Sequence, residues 1–179
     1  CSPSVSSGGQ FIFGANNYPG SISGVNADYL EIRKLNVDNG SVFTDQQISA
    51  AAKVCVVGQT VIKNLFPNGE NPIGKVIRFN RIPFTIIGTL KAKGYNSMGM
   101  DQDDIVLAPY TTVQKRVLAI TYIQGIFASA ITEDATTNAT TAISSMLREN
   151  HKLKATADDD FNVRSQQELS TMLTSTTDM

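Results

Sequence analysis

The stretch KVCVVGQTVIKNLFPNGENPIGKVIRFNRIPFTIIG (residues 53–88) changes its hydrophobic period twice, and those changes decide the fold. Residues 53–58, with Val-Cys-Val-Val uninterrupted at their centre, read as a buried strand. From Gln59 the apolar positions move to helical spacing, with Val61, Ile62 and Leu65 on one side, and Pro67-Asn68-Gly69 stops that helix. From Ile73 the period becomes two. Val76, Arg78 and Asn80 alternate with Ile77 and Phe79, and Asn80-Arg81 returns the chain into residues 83–88, a hairpin without the usual Asn-Gly.

Working outward, residues 10–14 are a short aromatic strand, Asn16 to Gly20 a turn, and residues 21–25 the returning strand. Asp28 is placed to cap a short helix through Leu35. Thr44-Asp45-Gln46-Gln47 has the form of a capping box. On the other side, residues 94–104 carry Tyr95, Met98, Gly99 and Met100 among Asn, Ser and Asp with no regular period, which predicts a long contact-making loop. A buried strand resumes at residues 105–108, Pro109 ends it, and residues 110–117 suit a short helix. Residues 122–131 read as a strand and 133–152 as a Thr-rich half-exposed helix. A last strand at Phe161-Asn162-Val163 would complete a second βαβ-like unit, followed by a helix capped by Ser165 with Glu168 three residues on.

The ordered set Val56-Val57-Gly58, Asn64-Leu65-Phe66, Asn71-Pro72-Ile73-Gly74-Lys75, Ile77-Arg78, Phe84-Thr85-Ile86-Ile87-Gly88 and Lys93-Gly94 resembles the MacB-like periplasmic core domain of MacB/FtsX-type ABC transporter permeases. The flanks agree: Ser2-Pro3-Ser4-Val5, Gly24-Val25 before Asp28-Tyr29-Leu30, Leu107-Ala108-Pro109, and Phe161 to Ser165. Ser41 departs from the Arg common after the glycine matching Gly40. The resemblance implies an α+β fold of two subdomains. Residues 1–26 and 118–179 would form a porter-like βαβ unit from both chain ends, and residues 27–117 an inserted small α/β subdomain. It also implies an extracytoplasmic, periplasmic portion of an inner-membrane protein. Its partners would be a second permease copy, a cytoplasmic ATPase domain or subunit, and a periplasmic adaptor with an outer-membrane channel.

Composition restricts the alternatives. Lys+Arg 15 against Asp+Glu 16 in 179 residues, with no basic stripe, argues against nucleic acid or an anionic membrane surface, both of which need excess cationic side chains. The chain is long enough to build a core without staples. It lacks a signal peptide and a run of ~18 apolar residues, so it is expected to be soluble as given. The missing start Met and uncapped end read either as an excised fragment or as disordered ends. Cys55 inside an apolar run is expected to act as a small hydrophobe, and Cys1 assigns no redox compartment.

An enzyme needs a constellation, and none is assembled. The sole histidine, His151, ends a helical stretch, and one His with two distant Cys makes no zinc site. The acidic clusters Asp101/Asp103/Asp104 and Asp158/Asp159/Asp160 follow no calcium-loop pattern. Lys75 in Asn71-Pro72-Ile73-Gly74-Lys75 opens a strand rather than a helix, which excludes a phosphate loop. No Gly-x-Ser-x-Gly occurs, and Asn138-Ala139-Thr140, a glycosylation triplet, falls on a predicted helix. No catalytic residue, metal or cofactor is therefore expected. The candidate partner contacts are Phe11, Phe13, Tyr18, Tyr95, Met98 and Met100, aromatic and Met side chains on a hairpin and a loop. The leading expectation is a non-catalytic module coupling ATP hydrolysis in the cytoplasm to export, extraction or transmembrane signalling. The alternative is a stand-alone cell-surface or periplasmic solute-binding or adhesion domain, against which the absence of Trp and of clustered Tyr counts.

Overall fold

The structure, a computed structural model, describes residues 1–96, 99–132 and 134–175. It is α+β and divides into two compact units, Cys1–Ala128 and Ser129–Met179.

The first unit opens with a long hairpin, β1 (Ser2–Phe13) and β2 (Asn16–Val25), joined through Gly14 and Ala15. Gly14 takes φ +57, which a residue with a Cβ seldom adopts, and this sets the register Phe13↔Asn16. The turn expected at Asn16 to Gly20 is therefore strand. Pro19 is accommodated because β2 has a neighbour on one side only at that point, the edge position to which Pro is confined in sheets. Next comes α1 (Asp28–Ile32), with Asp28 inside the helix rather than capping it; the helix ends before Leu35, at a turn where Lys34 has φ +52.

β3 (Val37–Gly40) precedes α2 (Asp45–Ser49), whose capping box is formed as expected: Gln47 N donates to Thr44 Oγ1 at 3.3 Å and Thr44 N to Gln47 Oε1 at 2.9 Å. β4 (Val54–Val57), α3 (Gln59–Leu65), β5 (Val76–Phe79) and β6 (Ile82–Leu90) follow the pattern of residues 53–88. Asn80 and Arg81 have φ +45 and +75, the two left-handed positions of a tight hairpin turn. β7 (Val106–Pro109) leads into α4 (Tyr110–Thr112), which continues as a π-helical segment (Val113–Leu118). The strand expected over 122–131 is limited to β8 (Gly125–Phe127), because β1 offers only Ser2–Ser4 to pair with it.

Six strands close on themselves. β1 pairs β2, β2 pairs β7, β7 pairs β4, β4 pairs β6, β6 pairs β5, and β5 returns to β1 through Phe11↔Phe79 and Ile12↔Arg78. Side chains alternate across this ring. Cys55 and Val57, Ile77 and Phe79, Phe84 and Ile86, and Val106 and Ala108, each pair two residues apart, join Phe11 and Ile22 in one buried cluster, to which α3 adds Val61 and Leu65 and the residue that ends it adds Phe66. The opposite face, with Val25, Val56, Leu90 and Leu107, packs on Tyr29 and Leu30 of α1, Phe43, and Ile48 of α2. The Cys55 thiol is fully buried; desolvation pushes its pKa up, so it stays protonated and packs as a small apolar group.

The second unit contains α5 (Ala135–Asn150) and α6 (Gln166–Ser175). Arg148 ties the turn after α5 together, pairing with Asp159 and donating to the carbonyls of Lys154 and Ala157, both at 2.9 Å. His151 closes α5, 2.7 Å from Asp160 Oδ1. Phe161-Asn162-Val163 is not a strand, and the βαβ-like unit expected here is not completed: among the described residues no strand pairs with these three, and the Phe161 ring instead meets His151 edge-on at 5.8 Å. Ser165 and Glu168 form the expected capping box on α6, at 3.1 and 3.2 Å.

Candidate functional site

Carboxylates shape the described parts of the loop over 91–105, residues 91–96 and 99–105. Gly58, at the start of α3, has no side chain to cap the helix, and the loop supplies the missing acceptors: Thr60 N donates to the Asp103 carbonyl at 3.2 Å and Gly58 N to the Ile105 carbonyl at 2.8 Å. The approach is so close that a Cβ on Gly58 would lie 2.2 Å from the Asp103 carbonyl oxygen. The Asp101 carboxylate accepts from Thr60 Oγ1 at 2.6 Å and from Asp103 N at 2.8 Å. These donors hold its pKa below the ordinary carboxylate value. Asp103 folds the loop onto its own stem, accepting from Lys93 N at 2.7 Å and Gly94 N at 2.9 Å. The Asp104 carboxylate lies near the Tyr18 hydroxyl. Burial first, and this carboxylate second, push Tyr18 up to about 12.

Two members of the acidic cluster, Asp101 and Asp103, thus fasten the loop to α3 and to its own stem. Among the described residues no three His, Cys, Asp or Glu side chains are grouped so as to hold a metal ion.

The candidate contact residues separate into three groups. Phe11 is 1% exposed and stacks on Phe79 at 4.7 Å, so it is a core residue and its side chain is not available to a partner: it stands on the enclosed face of β1. Phe13 and Tyr18 are half-buried. Phe13 lies on the Phe66 ring at 4.3 Å, and Asn16 ties the hairpin tip to α3 through the Leu65 carbonyl at 2.9 Å. Tyr95 and Met100 are exposed, at 73% and 57%, on the fastened loop. Their stretch is narrowed by the Tyr95↔Asp101 bridge and by Asn96 N donating to the Met100 carbonyl at 2.9 Å. Met98 lies outside the described residues.

A further set of exposed apolar residues was not singled out from sequence: Tyr122, Ile123, Ile126 and Phe127, in and beside β8. Phe127 sits edge-on to Tyr29 at 5.3 Å and under the Arg33 guanidinium at 5.9 Å. Their signal was the expected strand itself; its exposure depends on β8 pairing, among the described residues, only with Ser2–Ser4.

Comparisons with known proteins agree with one another. The family model of the MacB-like periplasmic core domain matches residues 2–146. A macrolide export ATP-binding/permease protein MacB from Chlorobium luteolum is 39% identical over 173 residues, 97% of this chain and 26% of the relative. A MacB from Rhodospirillum rubrum is 40% identical over 162 residues, 89% of this chain and 24% of the relative. The chain therefore spans about a quarter of the length of these relatives. In fold it is similar to the periplasmic region of MacB from Actinobacillus actinomycetemcomitans, with TM-score 0.76, 21% identity and coverage of 97% of this chain and 74% of that one. The extracellular domain of the ABC-type transporter YknZ gives TM-score 0.68 at 18% identity, over 86% of this chain and 76% of that one.

Proposed function

The chain belongs to the MacB-like periplasmic core domain family, and from that premise we propose that it serves as the non-catalytic coupling part of an ABC transporter permease, relaying motion driven by cytoplasmic ATP hydrolysis to export, extraction or signalling. It would stand on the extracytoplasmic side of an inner membrane. A second permease copy and an ATPase domain or subunit would be its partners, with an adaptor and an outer-membrane channel as further ones. The observation that carries the coupling reading is the fastened loop. Tyr95 and Met100 are presented to solvent on a segment bonded to α3 and to its own stem, so a load applied at the loop reaches the strand ring without first being lost in loop motion.

The division into a porter-like part (1–26 and 118–179) and an inserted part (27–117) belongs to the same proposal. It is supported by the ladder between Ser2–Ser4 and Gly125–Phe127, which joins the first strand to the later segment.

The test uses the full-length transporter with Cys1→Ser as background and Tyr95→Cys or Met100→Cys in the loop. Oxidation that links two copies should stop transport while the isolated domain keeps its melting transition. Transport that continues at full rate in the linked species overturns the coupling role of this loop.

A further inference from the structure

We propose that the outward face of the sheet where β1, β5 and β6 run side by side is a docking surface for an acidic segment of a partner protein, one that presents a carboxylate between aliphatic side chains. The face shares no residue with the Tyr95 loop and does not rest on the coupling reading.

The strand register assembles it. Ile12 stands opposite Arg78 and Arg78 opposite Pro83, while two residues away on β5 Val76 stands opposite Thr85. Their chain neighbours Phe11, Ile77, Phe79 and Phe84 belong to the buried cluster inside the ring, so these five side chains share the other surface of the sheet. α1 and α2 pack on that surface farther along, over Val25, Val56, Leu90 and Leu107. Ile12, Val76, Arg78 and Pro83 stay exposed, Ile12 at 39% and Val76 at 50%.

Charge decides the partner. Residues 71–100 hold five cations, Lys75, Arg78, Arg81, Lys91 and Lys93, and no Asp or Glu; residues 1–27 hold no charged side chain. None of β1, β2, β5 and β6 contains an acid, and Glu70, before β5, is the acid nearest to these cations in sequence. β5 and its turn gather Lys75, Arg78 and Arg81, and Lys53 borders them, its carbonyl accepting from Thr85 N at 2.9 Å. All four are exposed, and none forms an ion pair with a described residue. No basic stripe was visible in sequence because core residues separate these cations along the chain. A second copy offering the same face would set Arg78 against Arg78, which like charge opposes. The face carries no aromatic side chain of the kind that seats a protein in a lipid interface. A carboxylate takes the Arg78 fork, and aliphatic neighbours of that carboxylate cover Ile12, Val76 and Pro83, which a small anion would leave in water.

The experiment follows backbone amide shifts of this chain by NMR during titration with acetyl-Val-Glu-Val-Asp-Val-amide, with its Gln/Asn counterpart and with inorganic phosphate. Cosedimentation with phosphatidylglycerol/phosphatidylethanolamine vesicles runs beside it. The acidic peptide should give saturable shifts at Ile12, Val76, Arg78 and Thr85 in the millimolar range, weakening with added salt, and the neutral peptide none. Arg78→Gln should weaken binding about three- to fivefold and Val76→Thr about twofold, both with unchanged melting transitions because both side chains are exposed. Arg33→Gln, at the guanidinium over Phe127, should leave the affinity unchanged. Absence of saturable shifts, an equal response to the neutral peptide, or a loss in Arg78→Gln no greater than in Arg33→Gln overturns the face. Phosphate that matches the peptide, an unchanged affinity in Val76→Thr, or vesicles that bind where the peptide does not overturns the protein-segment assignment in favour of a small anion or a lipid surface.

Discussion

Gly58→Ala tests whether the loop is fastened to α3 as tightly as the geometry requires. Gly58 has φ −82 and ψ 165, ordinary extended backbone, so alanine brings no dihedral strain. The whole effect comes from space. The added methyl would lie 2.2 Å from the Asp103 carbonyl oxygen and 3.1 Å from Ile105 Cγ2. The first contact is backbone, so the loop must retreat by roughly 1 Å to restore van der Waals separation. That retreat breaks or lengthens the bonds from Thr60 N and Gly58 N to the Asp103 and Ile105 carbonyls. Two such bonds are worth about 1 kcal/mol each net. Restricting the unfolded chain returns about 0.4–1 kcal/mol, so the expected loss is about 1–2 kcal/mol. Denaturant unfolding should show a lower midpoint with an unchanged slope, and hydrogen exchange at Gly58 and Thr60 should accelerate beyond the global change. Gly8→Ala is the control, because a Cβ there meets nothing within 4 Å; it should be neutral or slightly stabilising. A Gly58→Ala protein as stable as Gly8→Ala, with protected Gly58 and Thr60 amides, would refute the reasoning.

Tyr18 should ionise later than an ordinary tyrosine. Its pKa is raised from the ordinary 10.0 to about 12, so its share of stability is intact below 10 and is lost as pH climbs through 12; an ultraviolet titration should show this late step, and Tyr18→Phe should remove it. Arg81→Gly should stabilise the β5–β6 hairpin by about 1 kcal/mol, read from the thermal midpoint, since a side chain at φ +75 carries a left-handed penalty that glycine lacks. Phe11→Ala should cost about 3–5 kcal/mol of unfolding free energy through an unfilled core, whereas Tyr95→Ala and Met100→Ala should stay within about 0.5 kcal/mol of the parent. A Phe11→Ala protein of unchanged stability would contradict its place inside the ring.

What was legible in the sequence is what neighbouring residues decide among themselves. The switch of period over 53–88 announced β4, α3 and the β5–β6 hairpin, and the two capping boxes at Thr44 and Ser165 were readable because donor and acceptor lie three residues apart. What was not legible depends on register between distant segments. The turn at Gly14 looked less turn-like than Asn16 to Gly20, and only the pairing of β1 with both β2 and β5 explains why Phe11 is core while Ile12, one residue on, is 39% exposed. The Asp101 and Asp103 pair could be read for charge but not for contacts, since its partners Thr60 and Lys93 come from separate stretches of chain. The exposed set around β8 was hidden for the same reason: an apolar strand signal does not say how many neighbours the strand will have.

The closed ring also bears on where a partner can act. A sheet that returns to its first strand has spent both edges of β1, β2, β4, β5, β6 and β7 over their paired stretches, so strand addition, the commonest way to dock on a sheet, is confined to its periphery. Side-chain contacts must then do the work. They can do so only where apolar groups are held in place, because each rotamer-rich side chain ordered on binding costs about 0.5–1.5 kcal/mol. The carboxylate fastenings meet that cost during folding rather than at the encounter: Asp101 and Asp103 have already restricted the segment that carries Tyr95 and Met100. The same fastenings keep the segment from absorbing a displacement. Asp103→Asn should separate the two effects of this design, since an amide retains one acceptor of the pair that grips Lys93 N and Gly94 N. If presentation of the loop matters, coupling in the full transporter should fall while domain stability moves by about 1 kcal/mol or less; coupling that tracks stability alone would place the relay elsewhere on the ring.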